Sequence, residues 1–128
     1  MSDDDQVLDV TDLGEVSRAL LAAARASSAQ RAADTVYGGP LLRQTAMALL
    51  AGAELGEHAS PPEATLQVLS GRVRLSGAGR SWEISAGGLL PIPPERHSLA
   101  ALEDSVVMLT VLRTPPATEP LTPGRRAG

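Results

Sequence analysis

A chain of 128 residues and 13.2 kDa holds one ordinary domain, because two separate cores would each be too small to bury enough apolar surface. Hydrophobic residues make up 43% of it and charged residues 20%, a composition that folds, and no apolar run approaches the roughly 20 residues of a membrane span. It contains no Cys, Lys or Phe, and Tyr37 and Trp82 are its only Tyr and Trp, which excludes thiol nucleophiles, thiolate metal sites, disulfides and lysine Schiff-base chemistry, and leaves almost no stacking platform for single-stranded nucleic acid.

The net charge of −4 is unevenly placed. Asp3, Asp4, Asp5, Asp9, Asp12 and Glu15 fall in the first fifteen residues, and without them nine acids face eleven arginines. The body is nearly balanced, so no field argues for a phosphate-backbone partner. The Lys-free, Ala- and Arg-rich composition suggests a GC-rich bacterial coding sequence. Met-Ser-Asp-Asp-Asp has neither the basic nor the apolar region of a signal peptide, so a cytoplasmic protein is expected, with neither nucleic acid nor membrane as a partner.

Residues 1–10 read as an acidic flexible tail and 11–30 as the region of one helix. Thr11 or Asp12 can cap it, and Val16, Leu20, Ala23 and Ala24 recur at helical spacing, predicting an amphipathic helix over about 12–27 that packs on the domain or on a second copy. From Arg31 short apolar segments alternate with Gly, Pro and Ser at intervals near ten residues, which predicts β-structure through 113. Eight strands are expected: Asp34–Tyr37, Leu42–Leu50, Thr65–Leu69, Arg72–Leu75, Ser81–Ile84, Leu89–Ile92, Ser98–Leu102 and Val106–Leu112. In Arg72-Val73-Arg74-Leu75-Ser76 the alternation sends Val73 and Leu75 inward and both arginines to water. Ser70-Gly71, Gly77-Ala78-Gly79 and Gly87-Gly88 carry turn chemistry, and Trp82 shares a face with Ile84 as a core or interface residue. The Pro-rich stretch 114–128 is expected to be disordered, with Arg125-Arg126 a solvated end.

Two histidines concentrate the functional question. His58 sits in Gly52-Ala-Glu-Leu-Gly-Glu-His58-Ala-Ser60-Pro-Pro-Glu63-Ala64, followed by Gly71, and His97 in Gly87-Gly88-Leu-Leu-Pro-Ile-Pro93-Pro94-Glu-Arg-His97-Ser. Each is placed just outside an expected strand, so only the fold can bring them together. Over residues 40–112 this pattern resembles the small single-domain cupins. Gly52, His58 and Gly71 match that family's first motif, and Gly87, Pro93 and His97 its second, with the Pro-to-His turn one residue shorter than usual.

The resemblance implies an all-β fold, a cupin-type double-stranded β-helix or jelly-roll-like barrel preceded by the N-terminal helix, whose mouth usually holds a divalent metal on three histidines and a carboxylate. The usual ligand set is only half present, because Ser60 replaces the second histidine, Ala64 the glutamate and Ala101 the terminal Asn. His58 and His97 remain as candidate ligands of zinc, manganese, iron or nickel. Glu63, one residue before the vacated position, can join them only if the chain there is irregular, since within a strand a one-residue offset reverses the face. His58, Ser60, Ala64, Gln44, His97 and Ala101 are expected to line the pocket; Thr65 and Gln67 either add polar groups to it or face outward as strand residues, and Glu95-Arg96 reads as a solvated pair, with attraction of an anion by Arg96 the alternative. Neither histidine has the partners of a hydrolase triad. The expected function is binding of a small molecule in the barrel by a homodimer with a degenerate metal site, without assigned catalysis. The alternatives are a metal-dependent oxygenase or isomerase using His58 and His97, and an oligomeric interaction module.

Overall fold

The computed structural model describes residues 8–58 and 61–113, the side chains of Glu57 and His58 excepted. Residues 1–7, Ala59, Ser60 and the Pro-rich stretch from 114 lie outside the described residues, and with them most of the expected acidic flexible tail, the expected disordered C-terminal tail and Ser60 as an expected pocket residue.

Helix α1 (Leu13–Arg25) begins where Asp12 accepts hydrogen bonds from the backbone N–H groups of Gly14 and Glu15 at 2.9 and 3.1 Å, satisfying donors that a first turn leaves unpaired. Glu15 in the first turn and Arg25 in the last suit the helix dipole. Nine strands follow among the described residues: β1 (Arg31–Gly38), β2 (Leu42–Leu49), β3 (Glu54–His58), β4 (Ala64–Ser70), β5 (Arg72–Gly77), β6 (Arg80–Ser85), β7 (Leu89–Pro91), β8 (His97–Ala101) and β9 (Ser105–Leu112). The strand β3 goes beyond the eight expected ones, and His97 is the first residue of β8 rather than a loop residue. Glu-Leu-Gly-Glu-His has one large apolar residue and a glycine, so its strand character comes from pairing with β8 rather than from local pattern.

The strands form two antiparallel sheets, ordered β1-β2-β9-β4-β7 and β3-β8-β5-β6. Their inner faces pack Leu49, Leu66, Val68, Val73, Leu75 and Val107 into one core, and each such buried side chain contributes about 1.5–3 kcal/mol. The first sheet is also covered outside. Leu20 and Ala24 of α1 pack on Ala46, Ala48, Val106 and Met108, where the alanines let the helix axis approach closely.

Two turns show how the barrel closes. Ala78 and Gly79 join β5 to β6 with φ of 54° and 73°, the signs of a type I′ hairpin. Gly71, at φ 84°, carries the chain from β4 to β5 against Ser105, and a Cβ there would fall 2.4 Å from the Asp104 carbonyl oxygen. The fully buried Ser105 hydroxyl accepts from the Arg72 N–H at 2.9 Å and lies within bonding distance of the Arg72 and Glu103 carbonyls. It therefore ties the β4–β5 turn to the β8–β9 turn. On the outer face of the second sheet Glu83 receives Arg74 at 2.7 Å and Arg72 at 2.9 Å.

Gly71→Ala is expected to cost about 2–4 kcal/mol in urea denaturation, against about 1–2 kcal/mol for Gly79→Ala, which has positive φ but open space around it; equal losses would refute the close-approach argument. The hydrogen bond from Arg74, helped by the charges of Arg74 and Arg72 and opposed by desolvation, holds the Glu83 carboxyl below its ordinary value of 4.5. Its contribution is thus present above that value and lost as pH falls through the lower folded-state value. Glu83→Gln should melt slightly below wild type at pH 7, with the difference vanishing in acid and shrinking in high salt; a gap that widens on acidification would contradict this.

Candidate functional site

A cavity of about 330 Å³ opens between the two sheets, a volume at the lower end of those used for small ligands. Met47, Leu66, Val107 and Leu109 of the first sheet face Leu75 and Leu99 of the second. These walls are aliphatic. The chain has no Phe, and neither Trp82, half-buried against the core beneath the Arg80 guanidinium, nor the exposed Tyr37 is among the described lining residues. Slender side chains on both inner faces leave the space that aromatic rings would fill.

Two described lining residues carry ionisable groups. His97 is buried at 4% exposure in the wall formed by β8, where the alternation His97, Leu99, Ala101 points inward. Its Nδ1 lies 3.1 Å from the Glu95 carbonyl oxygen. A carbonyl only accepts, so the contact is a hydrogen bond when Nδ1 bears the proton, and in the neutral ring Nε2 is then the acceptor. Gly77 pairs with His97 across β5, and a Cβ on it would lie 3.1 Å from the His97 Cβ; the missing side chain makes room for the strand that carries the imidazole. The second group is Arg43, on the inward parity of β2 shared with Met47 and Leu49, exposed at the cavity mouth.

The expected site residues separate by face. On the other edge of β8, His97 stands directly opposite His58 of β3, so the two sequence-distant histidines occupy facing register positions on neighbouring strands. Ala64 and Ala101, expected to line the pocket, are buried on the inner face, and neither is among the described residues bordering the cavity. Gln44 does not line it. It lies on the outer face of β2, and its Nε2 donates to Thr110 Oγ1 at 3.1 Å. Thr65 and the exposed Gln67 likewise occupy the outer face of β4, because Ala64, Leu66 and Val68 take the inner one. Glu63 is exposed and borders a separate shallow cleft with Leu42, Thr110 and Leu112. Arg96 is exposed and outside the cavity.

This arrangement bears on the metal. Among the described residues no group of three or more His, Cys, Asp or Glu is placed to hold an ion, and Glu63 does not border the cavity that His97 lines. The described donors therefore do not complete a metal site. Sequence reasoning overlooked Arg43, yet a signal existed: it stands four and six residues before Met47 and Leu49 and shares their parity, whereas Gln44 shares that of Ala46 and Ala48.

No family model and no curated protein matches the sequence. Solved structures do. The chain superposes on a conserved protein of unknown function from Streptococcus pyogenes with 26% identity and a TM-score of 0.62, over 69% of this chain and 78% of that one. It is similar to an RmlC-like cupin from Desulfovibrio desulfuricans, with 23% identity, TM-score 0.59 and coverage of 64% and 81%. Salicylate 1,2-dioxygenase from Pseudaminobacter salicylatoxidans is similar at 19% identity and TM-score 0.65, over 75% of this chain but 32% of the enzyme. The fold is a small cupin β-barrel with an N-terminal helix.

The Glu95 contact makes a specific expectation: a long-range ¹H–¹⁵N correlation spectrum should show a proton on His97 Nδ1 in the neutral ring. A ring protonated at Nε2 alone would show that the contact is not a hydrogen bond.

Proposed function

We propose that this small cupin domain binds a small, largely apolar molecule between its two sheets. The observation that carries the reading is the aliphatic cavity with a single buried imidazole among its described lining residues. A cavity of about 330 Å³ is roughly twice the size of an engineered apolar cavity that holds benzene, so an occupant on the order of ten heavy atoms suits it. Burial of its apolar surface supplies the affinity, and His97, braced by the Glu95 carbonyl, supplies orientation.

A second reading follows from one observation, the facing register positions of His58 and His97: a metal-dependent enzyme in which both imidazoles are ligands. The similarity to a dioxygenase is compatible with it, but it extends over a third of that enzyme and speaks to fold. Elemental analysis separates the readings. Stoichiometric metal in protein purified without chelator, lost in both His58→Ala and His97→Ala, would favour the enzyme; metal-free protein that binds apolar molecules would favour the first reading.

Octanol, a simple apolar probe of about the right size, is expected to perturb the amide signals of Leu66, Leu99 and Val107 in NMR titrations. Leu109→Trp, at a half-buried wall position, should fill the space and abolish those shifts while the far-UV circular dichroism stays unchanged. Shifts that persist in the filled variant would place the probe elsewhere and overturn the reading.

A further inference from the structure

The geometry points to a carboxylate as the polar end of the molecule this cavity accepts, with Arg43 as the residue that selects it; this rests on the cavity-binding reading above. Arg43 is the only charged guanidinium or carboxylate among the described residues lining the cavity. Its position is set by parity, since β2 sends Arg43, Met47 and Leu49 to one side, with Arg43 at the open end.

Other arginines of the barrel have work within the protein. Arg31 donates to the Glu54 carbonyl at 3.0 Å, Arg72 and Arg74 bind Glu83, Arg80 stacks on Trp82, and Arg113 donates to the Gly39 carbonyl at 2.7 Å. The Arg43 side chain has no hydrogen bond or ion pair to any described residue. A guanidinium at the edge of an apolar cavity, without an internal acid, is matched by an external anion.

The shape of the match favours a carboxylate. Arg presents a planar fork of donors that a carboxylate engages through two parallel hydrogen bonds. The neighbouring rim adds positive charge through Arg113, which borders a cleft shared with Arg43, Pro61 and Pro62. Glu63 borders a different cleft, so no carboxylate among the described lining residues opposes this field within the cavity. Beyond the mouth the walls are aliphatic, so the remainder of the ligand must be apolar. A cation would be repelled by Arg43 and would find no aromatic face among the described lining residues. The ligand class is therefore a small apolar monocarboxylate, its anionic end at Arg43 and its body between the sheets toward His97.

The test compares octanoate with octanol, which share an apolar chain and differ in the charged end, by calorimetric titration of the full chain at low salt. Wild type is expected to bind octanoate about 10- to 100-fold more tightly than octanol, the range of a charge-assisted hydrogen bond. Arg43→Gln should bring octanoate down to the level of octanol measured on the same variant without lowering the melting temperature, and Arg43→Lys should retain part of the preference. If wild type binds octanol but shows no preference for octanoate, or if Arg43→Gln keeps the preference, the assignment of Arg43 fails and the cavity reading stands. If neither probe binds, both fail together.

Discussion

The strand β9 is hydrogen-bonded on both edges, to β2 and β4, and covered on both faces. Along it Val106 and Met108 pack under α1 while Val107 and Leu109 face the barrel. Such a strand has no solvent side, and a one-residue slip would exchange the two sets of side chains and strand each against the wrong neighbour. Its two neighbours in the first sheet are in register with it: β2 brings Met47 and Arg43 to the inner face, β4 brings Leu66, and Gln44 and Thr110 meet on the outer face.

The cavity is a consequence of packing with slender side chains. Two sheets keep a separation set by their pleats and the side chains between them, near 10 Å in ordinary sandwiches. Where Leu49, Val68 and Val73 interdigitate, the interior is filled; toward the open end, Leu, Val and Met from both sheets do not span the gap. The same region receives His97, held by the Glu95 carbonyl and by the close passage of Gly77. The core and the cavity thus meet on β8, whose far end, Ala101, belongs to the core and whose first residue borders the cavity.

The Ser105 hydroxyl and Gly71 close the opposite end. Buried turns need their polar groups satisfied, and one hydroxyl serves the backbone of two turns at once. Arg43, without a side-chain partner among the described residues, stands at the cavity end, while paired charges such as Arg72, Arg74 and Glu83 sit on the outer surface of the second sheet.

Sequence alone determined the class of structure and the limits of its chemistry. The helical spacing after Asp12 and the alternation in Arg72–Ser76 indicated a helix followed by an all-β body, the resemblance of the Gly52, His58, Gly71 and Gly87, Pro93, His97 motifs to the small cupins implied the barrel, and the lack of Cys and Lys confined the available side-chain chemistry. Tertiary structure decided which side chains meet. It revealed β3, whose residues are recruited by β8; it set His58 opposite His97 across 39 residues of chain; and it turned Arg43 toward the cavity while sending Gln44, Gln67 and Glu63 outside. The physical reason is the two-residue repeat of a strand: local sequence shows that faces alternate, but which parity is inside depends on partners distant in the chain.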